Sequence, residues 1–369
     1  RIMNEKFINI KVDKEERPDI DAVYMKSIIS LVGQGGWPIS LFLTPDCKPY
    51  FGGTYYPPTT KYNRPGFSQV LDEAFTLYKE QKNNVEIRTQ KILEKLNISE
   101  SSSGSNLTSV HRLIDEAVRI MEERFDTEEG GFGSGMKFPE PMNYTILLRH
   151  WVRTGADESI RMLDKTLTKM AEGGMYDQLG GGFHRYSTDR YWRIPHFEKM
   201  LYDNALLAKL YIDMAQATKQ DLYSEVPRDI FKYILCEMTS PEGAFYSGQD
   251  ADTDGEEGLY YFWEMKEFLE LLGPRNAKLM ARYFGVTSSK GTSQKNVLHI
   301  KESIESLAKV EEVAIFELDH ILRTSKEILF QARRKRSRPF TDKKIITGWN
   351  GLMITAFASG YMTLHGKNY

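Results

Sequence analysis

Two histidines, His184 and His196, stand on either side of a short arginine-rich and aromatic run, just after the triple glycine Gly180-Gly181-Gly182. Imidazoles flanking a sugar carbon can exchange a proton next to a carbonyl, the step that epimerises a sugar. A second dense stretch, Gln249 to Gly258, carries Asp250, Asp252, Asp254, Glu256 and Glu257. Carboxylates a few ångströms apart serve glycoside chemistry instead, one as acid and the other as base or nucleophile. The residues leave both chemistries open. The candidate catalytic groups are His184, His196, Glu198, Asp250 and Asp252. Arg185, Tyr186, Trp192, Asp203, Glu257, Tyr260, Trp263, Trp349 and Asn350 are the candidate substrate contacts, because aromatic faces stack on sugar rings and charged groups bond hydroxyls.

Asp250, Asp252 and Asp254 before Gly255 match the opening of a calcium loop, but its twelfth position, which should be a bidentate Glu, is Tyr261. The expectation is therefore a pocket without metal or cofactor, lined by these carboxylates.

The elements that position these groups follow from glycine, proline and apolar spacing. The triple glycine ends a preceding helix and lets backbone approach a ligand or another segment closely. Pro195 suits the first turn of a helix, and Phe197, Leu201, Ala205 and Ala208 carry the helical period, so a helix is expected from about His196. On it His196, Met200 and Asp203 would share one face, with Glu198 and Tyr202 on its neighbour. His196, Glu198 and Asp250 are expected to converge on one cavity.

Glu128-Glu-Gly-Gly-Phe132, Gly180 to Phe183 and Ser240-Pro-Glu-Gly-Ala-Phe-Tyr246 are variants of one turn between helices. Helices are expected over 110–125, 143–153, 158–171, 223–238, 313–334 and 349–364. A repeated helix, Gly-Gly-Phe turn, helix unit is the pattern of stacked helical hairpins, each needing its neighbours to bury its apolar face. About four hairpins are visible, whereas a closed (α/α)6 toroid has six, so the toroid is expected to be C-terminally short.

The first hundred residues read differently. A strand over 7–12, a helix over 20–32, Gly35-Gly-Trp-Pro38, a strand over 39–43, a Thr-Pro-Asp turn and a strand around Tyr50 follow one another, with two more helices over 67–96. That order resembles the second half of a thioredoxin fold, with Pro38 as the structural cis-proline beside its strand. The redox dithiol of such a fold would lie before Arg1. Linker composition over 99–108 places a boundary between domains 1–98 and 109–369.

Composition narrows the function classes. The chain has 369 residues, and 49 basic against 51 acidic residues give a formal charge of −2. No global field recruits nucleic acid or an anionic membrane. Arg333-Arg-Lys-Arg-Ser-Arg338 is the one basic run, expected to decorate the exposed end of a helix. No apolar run reaches the ~18 residues of a spanning helix. Cys47 and Cys236 lack metal or redox spacing, which favours a reduced, cytoplasmic setting. A small carbohydrate ligand is the expected partner, and the oligomeric state stays open.

Val12-Asp-Lys-Glu-Glu-Arg-Pro-Asp19, Gly35-Gly-Trp-Pro-Ile-Ser-Leu-Phe-Leu-Thr-Pro-Asp46, Phe51-Gly-Gly-Thr-Tyr-Tyr-Pro57 and Pro195-His-Phe-Glu-Lys-Met-Leu-Tyr-Asp203 resemble the YyaL and spermatogenesis-associated protein 20 family. Asp250-Ala-Asp252, Gly255-Glu-Glu-Gly258 and Trp349-Asn-Gly351 extend the resemblance over essentially the whole chain. It implies a multidomain fold, an α/β thioredoxin-like domain joined to an all-α (α/α)6 toroid like that of N-acylglucosamine 2-epimerases and six-hairpin glycosidases. It also implies a Cys-His-Trp-Cys-His block upstream of Arg1. The implied function is a carbohydrate-active enzyme of epimerase or glycosidase type. A thiol-redox protein and a non-catalytic sugar-binding scaffold are the alternatives.

Overall fold

A computed structural model describes residues 1–61, 64–98, 110–288 and 294–364. The chain divides into two compact units, Arg1–Thr108 and Ser109–Tyr369. The expected linker, 99–108, lies outside the described residues.

The first unit runs α1 (Ile2–Lys6), α2 (Pro18–Val32), β1 (Ser40–Leu43), β2 (Pro49–Gly53), α3 (Phe67–Glu80) and α4 (Lys82–Ile98). Pro18 opens α2, where its missing N–H costs nothing, and Gly33 at φ +81° ends it. The Trp37-Pro38 peptide is cis. Strands β1 and β2 form an antiparallel hairpin in which Phe42 faces Phe51. Phe42, Tyr50, Val70, Leu71, Ala74 and Val85 make the core of this thioredoxin-like unit. The strand expected over 7–12 is absent. Ile8 is 94% exposed and Ile10 77%, and no described strand pairs with the segment, so its backbone has no ladder to join.

The second unit is built of helices: α5 (Val110–Arg124), α6 (Pro141–Thr154), α7 (Asp157–Glu172), α8 (Leu201–Thr218), α9 (Leu222–Glu237), α10 (Met265–Tyr283), α11 (Ile304–Glu311), α12 (Ile315–Arg333) and α13 (Thr347–Leu364). Helix α8 is apolar around most of its circumference because it packs against α6, α9 and α13 at once. Its Leu201, Leu207, Tyr211 and Met214 are buried in one core, and α10, α11 and α12 close a second around Phe268, Met280 and Leu318. This is the helical part of the chain.

Seven two-residue strands tie the loops at the helix ends. Strands β3 (Tyr186–Ser187) and β4 (Pro195–His196) pair with each other. Strand β5 (Lys199–Met200) pairs with β6 (Gly248–Gln249), which pairs in turn with β9 (Thr341–Asp342). Strands β7 (Asp252–Thr253) and β8 (Glu256–Glu257) form a hairpin. His196 and Glu198 therefore do not sit on a helix: α8 starts five residues later than expected. The Ser187↔Pro195 and Lys199↔Gln249 pairings hold the backbone extended there, overriding the helical period of the side chains.

The three variant turns close alike, the third one residue shorter than the other two. Each closes with an antiparallel bridge, Phe125↔Phe132, Tyr176↔Phe183 and Thr239↔Phe245. In the first, Asp126 Oδ1 accepts the amides of Glu128 and Glu129, and in the second, Asp177 Oδ1 accepts those of Leu179 and Gly180. Gly131 and Gly182 occupy matching positions at φ +75° and +79°. A Cβ on Gly131 would stand 2.6 Å from the Trp192 ring, and one on Gly182 2.7 Å from Tyr233. Only glycine fits both the backbone and the space.

Candidate functional site

The β3–β4 ladder places Tyr186 opposite His196, and their rings stack at 5.0 Å with 22° between planes. His196 Nδ1 lies 2.7 Å from Glu257 Oε1, and Nε2 lies 3.8 Å from Glu198 Oε2. A carboxylate only accepts, so Nδ1 carries a proton toward Glu257, and Nε2 faces the Glu198 carboxylate. Glu198 Oε2 in turn accepts a 2.6 Å bond from Arg185 Nη1. Arg185 lines a cavity of about 390 Å³ with Phe138, Glu140, Asn143, Tyr202 and Asp203. His196 is thus one carboxylate away from the cavity wall.

The cavity has a defined electrostatic character. Burial opposes the charge on Arg185, yet Tyr202 and Glu198 raise its pKa. Burial, and then Asp203, push the Tyr202 hydroxyl up to about 12, so it stays protonated. The wall therefore offers a neutral phenol, an ion-paired guanidinium, the Asp203 and Glu140 carboxylates and the exposed Phe138 ring. Trp349 supports it from behind, edge-on to Tyr202 at 4.7 Å.

Several sequence-derived candidates lie elsewhere. His184 is buried, its Nδ1–H donating to the Phe197 carbonyl at 2.9 Å between the Phe197 and Tyr261 rings. Burial and then Lys199 push its pKa down to about 3, so it stays neutral in the core. A pair of histidines facing one substrate is not formed. Trp192 and Trp263 are fully buried. Trp192 donates its indole N–H to the Glu129 carbonyl, and Trp263 lies under the Arg336 guanidinium at 4.1 Å. Asn350 clamps the backbone of Phe245, giving Nδ2 to its carbonyl and accepting its amide on Oδ1. Asp250 turns its carboxylate onto the Asp252 amide, and Asp252 is exposed opposite Glu257 in the β7–β8 register. It is Glu257, not Asp250, that reaches His196. Tyr260 is buried in the wall of a second cavity.

That second cavity, about 220 Å³, is lined by groups that the sequence reading did not single out, among them Asp177, Lys199, Tyr233 and Arg333. Lys199 Nζ donates to Asp177 Oδ2 and to the Gly181 carbonyl, and Arg333 Nη1 and Nη2 grip both oxygens of Asp177. Burial alone would raise the Asp177 carboxyl, but Arg333 and Lys199 hold it well below the ordinary range. Arg333 was expected at an exposed helix end; it is 3% exposed, drawn inward by this carboxylate. Asp126 and Asp177 stand at the same place in Asp-x-x-x-Gly-Gly-Phe and Asp-x-x-Gly-Gly-Gly-Phe, and that shared aspartate was the available signal.

Among the described residues no group of three or more His, Cys, Asp or Glu is placed to hold a metal ion. None of the described helices is long and apolar enough to cross a membrane.

Residues 1–97 match the family model Thioredox_DsbH, described as a protein of unknown function, DUF255. The chain is 37% identical to human spermatogenesis-associated protein 20 over 97% of its own length and 50% of that protein's. It is 35% identical to Uncharacterized protein B0495.5 of Caenorhabditis elegans, with 100% of this chain and 54% of that one covered. A sugar epimerase from a ruminal bacterium superposes with a TM-score of 0.33 at 13% identity, covering 69% of this chain and 83% of that one; a likeness that distant carries no weight for chemistry. The chain spans about half the length of the curated relatives it matches. With a DsbH-type thioredoxin-like unit at its start and this identity along nearly all of its residues, the chain belongs to the spermatogenesis-associated protein 20 family.

Proposed function

We propose that the helical unit is an enzyme of sugar isomerase type, moving a proton beside the carbonyl of a small carbohydrate held in the cavity of about 390 Å³. The observation that carries this reading is the chain Glu257–His196–Glu198–Arg185, in which an oriented imidazole is linked to the cavity wall.

The chemistry follows from the atoms. Glu198, bonded to the Arg185 that borders the cavity, relays the substrate's proton to His196 Nε2, and Glu257 fixes the tautomer and favours the imidazolium that forms. The substrate loses that proton from the carbon next to its carbonyl, and the C–H electron pair becomes the C=C bond of an enediol. Arg185 supplies positive charge where the carbonyl oxygen becomes negative. His196, through Glu198, then returns the proton to the old carbonyl carbon, while the hydroxyl proton of the neighbouring carbon passes to the oxygen that became negative and the new carbonyl forms. With His184 locked in the core, one base must serve both transfers on a single face; return there to the old carbonyl carbon gives isomerisation, while return to the same carbon only restores the substrate. The same arrangement speaks against glycosidase chemistry, because Glu198 and Glu257 are both engaged by His196 and Arg185 and not presented as a bare acid and nucleophile.

The test is incubation of the protein with neutral aldoses and ketoses in D2O, followed by proton NMR of the carbon beside the carbonyl. Deuterium incorporation that is lost in His196→Gln supports the reading. Incorporation by no sugar, or equal incorporation by the variant, overturns it.

A further inference from the structure

The first and second Gly-Gly-Phe turns are built on the same charged frame, and their one difference marks a site. In the first turn Lys137 Nζ donates to Asp126 Oδ2 and the Gly130 carbonyl, as Lys199 does to Asp177 Oδ2 and the Gly181 carbonyl in the second. Each aspartate also binds an arginine, Arg190 in the first and Arg333 in the second. One carboxylate against two cations leaves each frame with one excess positive charge. The first turn removes its excess from within: Arg190 Nη2 also binds Glu128 at 3.1 Å. Glu128 is two residues after Asp126, and the residue two after Asp177 is Leu179. The second frame has no carboxylate there, and what Leu179 borders is the 220 Å³ cavity.

Three further observations point the same way. Lys199 and Arg333 are 1% and 3% exposed, so water screens their charge poorly. Arg190 uses its Nε on Asp126, whereas Arg333 Nε, buried, finds no hydrogen-bond acceptor among the described residues. At the mouth, Lys232, Arg334 and Arg338 offset Asp229, Glu237 and Glu327, so the uncompensated charge belongs to the floor. Tyr233 and Tyr261 stack under Lys199, and Tyr260 and Phe330 under Arg333, giving the cavity apolar flanks beside its charged floor.

We propose that this cavity is a second ligand site, taking a small organic anion whose single carboxylate or phosphate head completes the Asp177–Lys199–Arg333 frame as Glu128 completes the first. It shares no lining residue with the cavity that Arg185 borders. Its volume far exceeds the ~10–15 Å³ that one water needs, so a body of several heavy atoms fits behind the head.

Cys236 lines this cavity, and the chain's other cysteine, Cys47, lies in the first unit; both thiols are exposed. Alkylation by iodoacetamide therefore reads the site with an internal reference, on the wild-type protein. The probes are inorganic phosphate and butyrate in separate arms, each against chloride at equal ionic strength. Saturable protection of Cys236 relative to Cys47, reaching about tenfold at ten times the Kd, is the expected result. Protection by one probe alone tells carboxylate from phosphate as the head group. Cys236 reacting at the chloride rate with both anions, or both thiols slowing together, overturns the proposal.

Discussion

The His196 imidazole and the Glu257 carboxylate, 61 residues apart in the chain, meet at 2.7 Å because two short hairpins carry them, β3–β4 and β7–β8. Neither group sits on a helix. The pairing fixes which ring nitrogen can act as a base.

If that orientation matters, Glu257→Gln should slow deuterium exchange into the substrate while leaving sugar affinity nearly unchanged, since glutamine keeps the shape and can still accept from Nδ1. His196→Gln should cost about 10²- to 10⁴-fold in exchange rate, the usual contribution of a positioned acid–base group. Both substitutions are at partly exposed positions and should move the unfolding midpoint little. Exchange rates and calorimetric titration on the same preparations separate the two effects.

Asp177→Asn should destabilise the helical unit by about 3–5 kcal/mol, because it leaves Lys199 and Arg333 buried without their counter-charge. Asp126→Asn should cost less, since Arg190 is partly exposed and keeps Glu128. Urea unfolding followed by fluorescence of the buried Trp192 and Trp263 reports on this unit. Equal losses in the two variants would contradict the difference in burial.

His184 gives a pH signature whose sign is fixed by its depressed pKa. Its folded value is about 3 against an ordinary 6.5. Between those values the unfolded chain binds a proton that the folded chain refuses, so stability rises with pH across the window. The contribution is complete above about pH 6.5 and falls by roughly 1.4 kcal/mol per unit as acid is added. His184→Gln should remove that slope between about pH 4 and 6 whatever it does to stability at neutral pH. An unchanged slope in the variant would mean that His184 takes up its proton without unfolding.

Much of this was legible from residue type and spacing. The cis Pro38, the hairpin after it and the helices 141–154, 157–172 and 222–237 followed from proline, alternation and helical period. The 196–200 segment was misread because its apolar spacing fits a helix equally well; only pairing with Tyr186 and Gln249, distant in sequence, makes it extended. His184, Trp192 and Trp263 look like ligand-facing groups in a list of residues, but large aromatic rings also fill cores, and burial is a tertiary property. Lys199 and Arg333 were missed for the converse reason. A lysine in a loop and the first arginine of a basic run read as surface, and only the Asp177 carboxylate, 22 and 156 residues away, brings them inside.

The most direct test is a crystal structure of this chain soaked with the sugar that exchanges deuterium fastest. Density is expected for the ring against Phe138 and Tyr202, with a carbonyl oxygen within hydrogen-bond reach of Arg185 and the adjacent carbon facing the Glu198 carboxylate that leads to His196 Nε2. A sugar bound away from this cavity, or bound in it with the carbon beside its carbonyl remote from Glu198, would contradict the proposed isomerisation.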